Sequence, residues 1–372
     1  METKPIGLYV HIPFCVRKCN YCDFASEALS VSKREKYIDS LLSEIESYKD
    51  ENISVDTVFF GGGTPTSLDA SELLKIIEKI KKCFDISGLR EFTVECNPGT
   101  VDLEKLEALK SAGVNRISFG VQSIHENELK ILGRIHSYDD FLGSYKLAKT
   151  VGFDNISVDL MYGIPLQTKE SFAKTIDAIV ALAPSHISVY GLIIEEGTPF
   201  FVSRDKLALP SEDDECDMYY YCAERLKTLG YEHYEISNYA KEGRRSLHNL
   251  KYWRDEEYIG LGLSAHSYYN GKRYFDPESF SEYFDGIWAK YRRSENAFVG
   301  VDPFEYAMLG LRLSDGIDLS EYQNKFGSRF AEGKEKLVND YIEAGLMTLA
   351  DGRLSLTDKG FYLSNSILSD LL

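Results

Sequence analysis

Residues 57–80 read TVFFGGGTPTSLDASELLKIIEKI, passing from an apolar run through three glycines into an amphipathic segment. The run TVFFGG has the β-branched and aromatic content of a buried strand. Leu73, Ile76, Ile77 and Ile80 then recur at helical spacing along one stripe. Strand followed by helix is half of a crossover unit, and the same alternation extends in both directions. Upstream, GLYVHI (7–12) reads as a strand and SVSKREKYIDSLLSEIESYKD (30–50) as a helical segment, with Ser32 and Glu35 at capping-box spacing and Ile38, Leu41, Leu42 and Ile45 on one face. Downstream, EFTVEC (91–96), NRISFGV (115–121), NISVDLMYG (155–163), HISVYGLII (186–194) and YEHYEISNY (231–239) continue the strand series, and the helix DLEKLEALKSAG stops at Gly113. The nearly continuous hydrophobicity of these strands predicts a parallel sheet covered on both faces. The reading is an α/β fold, a full or partial barrel, whose ligands gather at the carboxyl ends of its strands.

Near residue 240 the pattern changes. KEGRRSLHNLKYW (241–253) is polar and loop-like. From about residue 300 the chain turns helical, with FEYAMLGLRL (304–313) and EGKEKLVNDYIEAGL (332–346). It closes with two alternating apolar runs joined by Asp351-Gly352, a strong hairpin signal. The expected organisation is therefore a barrel over 1–240, a connecting region over 241–300 that carries HNLKYW, and a smaller carboxyl-terminal α+β domain, winged-helix-like, over 301–372.

A chain of 372 residues, 44% apolar and 27% charged, has the composition of a folded globular protein with two or three units. Its net charge of −17 repels phosphate backbones, so no nucleic-acid partner is expected. The first residues lack a basic stretch followed by an apolar core, and no run approaches 18 apolar residues. The expectation is a cytoplasmic protein without a transmembrane segment; peripheral membrane association and a homodimer stay open. In a reducing compartment the seven cysteines should be free, catalytic or metal-bound, with Cys83, Cys96, Cys216 and Cys222 read as buried apolar side chains.

Three of the seven stand in HIPFCVRKCNYCDFAS (11–26), just past the first strand. Cys15, Cys19 and Cys22 have the spacing C-x3-C-x2-C. Structural zinc usually takes four ligands, and no second pair at knuckle spacing follows. Three thiolates suit a 4Fe-4S cluster with one iron open to chelation by the amino and carboxylate groups of a small molecule, and S-adenosylmethionine offers both. With Tyr21 as the aromatic, the segment resembles the C-x3-C-x-aromatic-C signature of the radical S-adenosylmethionine (radical SAM) superfamily. Gly61, Gly62 and Gly63 let backbone approach a ligand, and Glu95 ends its strand where a carboxylate can accept ribose hydroxyls.

Across almost the whole chain, LYVHIPFC, GGGTP, GVQS, DLMYGIP and HNLKYW resemble the coproporphyrinogen III dehydrogenases (HemN) and their haem-chaperone relatives (HemW). The resemblance implies a partial (β/α)6 TIM-like barrel that carries the cluster, and that Tyr9, Tyr21, Gly62, Gly63, Thr64, Glu95, Gln122, Arg134 and Asp159 occupy cofactor-contacting positions. The dehydrogenases carry an amino-terminal extension and a further cysteine two residues after the third. Here 14 residues precede Cys15 and Phe24 stands at the extra position, departures that resemble the haem chaperones. His248 in HNLKYW is then the candidate ligand to haem iron, sitting in an accessible polar loop, with Tyr252 and Trp253 against the porphyrin; without the resemblance it reads first as a surface hydrogen-bonding histidine. His11 and His186, within strands, read as neutral core histidines. The leading function is a haem carrier that holds a 4Fe-4S cluster and S-adenosylmethionine and passes haem to client proteins. The alternatives are an anaerobic coproporphyrinogen dehydrogenase and a winged-helix nucleic-acid-binding regulator.

Overall fold

Alternate residues of the barrel strands are apolar and wholly or almost wholly buried: Leu8, Val10 and Ile12, then Val58 and Phe60, Phe92 and Val94, Ile117, Phe119 and Val121. These side chains pack against Ile38, Leu41 and Ile45 and against Leu73, Ile76, Ile77 and Ile80, the two helical stripes visible in the sequence. Each buried aliphatic or aromatic side chain contributes about 1.5–3 kcal/mol relative to exposure, so this outer layer dominates the fold's stability.

The computed structural model of the chain describes residues 4–28, 30–291, 298–299 and 302–372. Six parallel strands, β1 (Ile6–Ile12), β2 (Val55–Gly62), β3 (Glu91–Cys96), β4 (Arg116–Gln122), β5 (Asn155–Tyr162) and β6 (His186–Gly191), lie side by side in chain order. The crossovers include α1 (Val31–Glu46), α2 (Ala70–Cys83), α3 (Leu103–Ser111), α4 (Glu126–Leu132), α5 (Tyr138–Val151) and α6 (Lys169–Val180). A capping box between Asp69 and Glu72 starts α2. The box expected at Ser32 and Glu35 does not form: α1 begins two residues earlier, after Ser30, and both residues fall inside the helix.

Two further expectations are corrected by the sheet. YEHYEISNY does not continue the parallel series. It forms an antiparallel hairpin, β7 (Glu232–Glu235) and β8 (Asn238–Ala240), at the edge beyond β6. The strands are also not apolar on both faces. The inner face carries Thr57, Glu91, Thr93, Arg116, Ser118, Ser157, His186 and Ser188, all buried, which is the polarity of a lined interior rather than of a second packing layer.

Residues 241–300 contribute to the same sheet. A seventh parallel strand, β9 (Tyr258–Leu261), pairs with β1 through Gly7↔Tyr258 and Tyr9↔Gly260. It is followed by the antiparallel β10 (His266–Tyr269), β11 (Lys272–Phe275) and β12 (Phe298–Val299). Among the described residues no pairing joins the two edges of this sheet, so the barrel is open. KEGRRSLHNLKYW is not a loop throughout: Leu247–Trp253 is a helix, α7, capped by Ser246.

The carboxyl-terminal domain has the expected α+β order. Its small sheet joins Ile317–Asp318, Met347–Ala350 and Arg353–Leu356, and Asp351 and Gly352 both take positive φ at the hairpin tip, as a type I′ turn requires. Gly316, at φ +61°, has no room for a side chain, since a Cβ there would lie 2.1 Å from the Leu354 carbonyl oxygen.

Candidate functional site

β1 delivers the chain directly into the cysteine segment. A two-residue ladder, Phe14–Cys15 with Glu27–Ala28, closes the base of the loop, and Asn20 ties its middle to α4 by donating from its backbone N–H to the Leu132 carbonyl (2.9 Å) and from its side chain to the Ile131 carbonyl (2.8 Å). The glycine turn after β2 docks on the same loop. Gly63 donates to the Ile12 carbonyl (2.8 Å) and Thr64 to the Phe14 carbonyl (2.7 Å). A Cβ on Gly63 would meet the Phe14 carbonyl oxygen at 2.7 Å, and one on Gly62, at φ +108°, would meet the His11 ring at 2.5 Å. Glycine is therefore required at both by close approach, and at Gly62 by conformation too.

Cys15, Cys19, Tyr21 and Cys22 line one cavity of ≈ 330 Å³ at the carboxyl ends of the strands. Its other walls are Gly62, Gly63 and Thr64 from the β2 turn, and Glu95, Gln122, Arg134 and Asp159 from or just beyond β3 to β5. Larger hollows of ≈ 510 and ≈ 530 Å³ lie elsewhere, against Tyr48 and Trp288 and between Trp253 and the carboxyl-terminal domain, but neither contains a cysteine. Chemistry, not size, picks the site.

The thiols are free. Burial raises the pKa of Cys15 and Cys22, and the neighbouring thiols raise each further. Arg134 donates through Nη1 to Cys19 Sγ (3.5 Å), and Thr64 Oγ1 donates to Cys15 Sγ (3.6 Å). Among the described residues no three His, Cys, Asp or Glu side chains are gathered tightly enough to hold one metal ion. A 4Fe-4S cluster makes no such demand, because each thiolate binds its own iron, and three convergent thiols facing a cavity fit it. Two buried polar atoms beside the thiols lack partners, Gln122 Oε1 and Arg134 Nε. Gln122 sits at φ +67° on a bulge in β4 that aims it into the cavity.

Burial pushes Glu95 up to about 8, with Asp159 adding repulsion, while burial also raises Asp159 itself. Ser118 Oγ donates to both Asp159 oxygens, at 3.2 and 3.1 Å. Two acids held above their usual range favour a ligand that brings positive charge or hydroxyl donors.

Two expected site residues are not brought to this cavity. Tyr9 lies one layer deeper, its hydroxyl 3.0 Å from His11 Nδ1 and its ring beside Phe59. His11 completes its bonding at the Ala25 carbonyl (2.8 Å), and His186 is held between Ser157 and Tyr234; both read correctly as core histidines, and burial lowers the pKa of each. His248 was expected in an accessible loop and is instead fully buried in α7. Nδ1 is 2.9 Å from Thr57 Oγ1 and Nε2 is 2.8 Å from the Tyr252 hydroxyl, so both ring nitrogens are engaged. The ring stacks on Phe59 at 5.3 Å, and burial, with Lys251 and Arg116 nearby, lowers its pKa to about 3. α7 is pinned under the sheet by Glu91, whose carboxylate accepts from the Leu247 (2.8 Å) and His248 (3.1 Å) backbone N–H groups. Thr57 is five residues before Gly62 on β2, roughly 16 Å at about 3.3 Å per residue, so His248 plugs the opposite end of the barrel from the cysteines. Tyr252 and Trp253 are likewise committed, to Tyr258 and to the cluster around Leu250. The sequence reading missed Asn97, which lines the cavity and bonds both Thr64 and Arg134.

Comparison with known proteins places this geometry. The Radical SAM superfamily profile matches residues 9–179, and the HemN C-terminal domain profile matches residues 301–363. The haem chaperone HemW of Lactococcus lactis is 37% identical over 100% of this chain and 98% of its own length. This chain belongs to the HemW family. The HemW of Bacillus subtilis is 36% identical over 98% of each chain, and that of Escherichia coli 34% identical over 99% of this chain and 98% of its own. The solved structure of coproporphyrinogen III oxidase (HemN) from Escherichia coli, a radical SAM enzyme, superposes with a TM-score of 0.82 at 23% identity, covering 98% of this chain and 89% of that one. At that identity the likeness to HemN establishes the fold: an open α/β barrel with a carboxyl-terminal domain. HemW-family membership brings the radical SAM superfamily's cluster and S-adenosylmethionine to the question of what fills the cavity.

Proposed function

We propose that this chain is a haem chaperone: it binds haem, holds a 4Fe-4S cluster on Cys15, Cys19 and Cys22 with S-adenosylmethionine beside it, and transfers haem to client proteins. What carries the reading is the full-length kinship with proteins named haem chaperones, joined to three free thiols on one cavity. When bound, the cluster would supply an open iron that chelates the amino and carboxylate groups of S-adenosylmethionine. The chain's own residues then have defined tasks. Gly62 and Gly63 admit the ligand to the backbone. Glu95 and Asp159 face its hydroxyl and positive groups. Arg134 and Thr64 hold hydrogen bonds on the sulfurs.

The test is anaerobic reconstitution with iron and sulfide counts, then haem titration followed at the Soret band and transfer to an apo-haem protein. Four irons and four sulfides per chain, a saturable Soret shift and delivery to the acceptor are expected. A reconstituted chain that binds no haem yet oxidises coproporphyrinogen would overturn the chaperone reading in favour of the dehydrogenase.

A further inference from the structure

We propose that Asn97 is a positioning residue that aims two hydrogen-bond donors at two different cysteine sulfurs and thereby sets the reduction potential of the cluster they hold. The inference rests on the cluster assignment above and extends it to a residue that touches no sulfur.

Asn97 bridges the two donors. Its Nδ2 donates to Thr64 Oγ1 (2.9 Å), occupying a lone pair of that hydroxyl and leaving its proton for Cys15 Sγ at 3.6 Å. Its Oδ1 accepts from Arg134 Nη2 (2.5 Å), while Nη1 of the same guanidinium reaches Cys19 Sγ at 3.5 Å. Arg134 Nη2 also donates to the Gly120 carbonyl, fixing the plane of the fork. Because arginine can only donate, the amide orientation of Asn97 follows from its partners. The backbone beneath it is rigid: the Asn97 carbonyl accepts from Thr100 N–H (3.1 Å) and Thr100 Oγ1 (2.6 Å), and Gly99 turns the chain at φ +79°. One amide on a fixed turn thus governs donors from two distant segments, residues 64 and 134.

Hydrogen bonds to cluster thiolates withdraw charge from sulfur and stabilise the reduced, more negative state, raising the potential. Without Asn97 the Thr64 hydroxyl and the Arg134 fork lose their common anchor. The one-electron potential of the cluster should then fall.

The experiment reconstitutes the full chain anaerobically and titrates it with dithionite, reading the midpoint by electron paramagnetic resonance in wild type, Asn97→Ala, Thr64→Val and the double variant. Asn97→Ala should shift the midpoint negative at unchanged iron content. In the Thr64→Val background the same change should shift it less than in the wild type, because part of the relay is already gone. Should Asn97→Ala hold less iron than the wild type, Asn97→Ser serves in its place, since one hydroxyl cannot bridge both donors. A midpoint unchanged by Asn97→Ala or Asn97→Ser, or shifts that add fully in the double variant, overturns the relay. A wild-type chain that assembles no 4Fe-4S cluster overturns the cluster assignment itself, which separates the two failures.

Discussion

Replacing His248 by leucine tests whether this histidine is the buried, neutral plug seen here. The change removes the partner of the Thr57 hydroxyl and of the Tyr252 hydroxyl, both inside the barrel. A buried hydroxyl left unpaired costs about 1–3 kcal/mol, and leucine recovers part of the packing, so about 3 kcal/mol is expected at pH 7.5. The pH dependence is the sharper signature. The folded pKa near 3 lies below the unfolded value of 6.5, so the native state binds fewer protons between these limits. Its contribution to stability is full above pH 6.5 and declines as pH falls toward 3. At pH 5, 1.5 units below the unfolded pKa, about 2 kcal/mol has gone at 1.36 kcal/mol per unit. The leucine variant lacks this loss. Its cost should shrink from about 3 to about 1 kcal/mol between pH 7.5 and 5. His11, His136, His186, Glu95 and Glu235 also titrate abnormally, but they do so in both proteins and cancel in the difference. Urea unfolding at several pH values measures it, with equal slopes as the control. A penalty that does not change between pH 7.5 and 5 would refute the neutral buried state. It would also reopen His248 to an iron ligand, since α7 would then have to leave the barrel.

Three more outcomes are expected. Cys19→Ala should lose most of its iron and sulfide after reconstitution while keeping its circular dichroism; a full complement of four and four would exclude Cys19 as a ligand. Glu95→Ala should weaken S-adenosylmethionine binding to the reconstituted protein about 10- to 100-fold, the worth of a hydrogen bond to a charged group, and identical calorimetric titrations would remove Glu95 from that site. Gly316→Ala places a Cβ 2.1 Å from the Leu354 carbonyl oxygen in a left-handed backbone. It should destabilise the carboxyl-terminal domain by about 2 kcal/mol or more, seen as earlier proteolysis there; unaltered cleavage kinetics would contradict the packing at that turn.

What could be read in the sequence was what depends on neighbours in the chain. The TVFFGGG turn, the Ile76/Ile77/Ile80 stripe, the cysteine spacing and the Asp351-Gly352 hairpin each need only a dozen residues, and each appears where expected. Glu95 and Gln122 close their strands, Asp159 sits within β5 and Arg134 follows α4 in the next crossover; they converge because these strands lie side by side in one sheet, and parallel order makes that largely a local property too. Pairings between distant segments were not legible. Nothing in YIGL announces that β9 will lie beside β1, and HNLKYW is too short for helical periodicity to betray the stripe that buries His248. Polar residues inside the barrel hid for a similar reason, since Thr57 and Arg116 look solvated until the sheet curls around them. Asn97 hid differently. Asn-Pro-Gly-Thr after a strand reads as a turn, which it is, and the turn chemistry masks a side chain bonded to two segments of the cysteine cavity.

The pairing of β1 with β9 has a consequence in time. β1 is made well before its second neighbour, which emerges about 250 residues later, some 12–50 s at the usual 5–20 residues per second of synthesis. Throughout that interval one flank of β1 is a bare row of backbone donors and acceptors, open to a strand from any adjacent nascent chain. A ribosome that stalls before residue 261 therefore releases a product that has the cysteine segment but leaves the strand that carries it unguarded, which makes such truncations prone to aggregate through that edge.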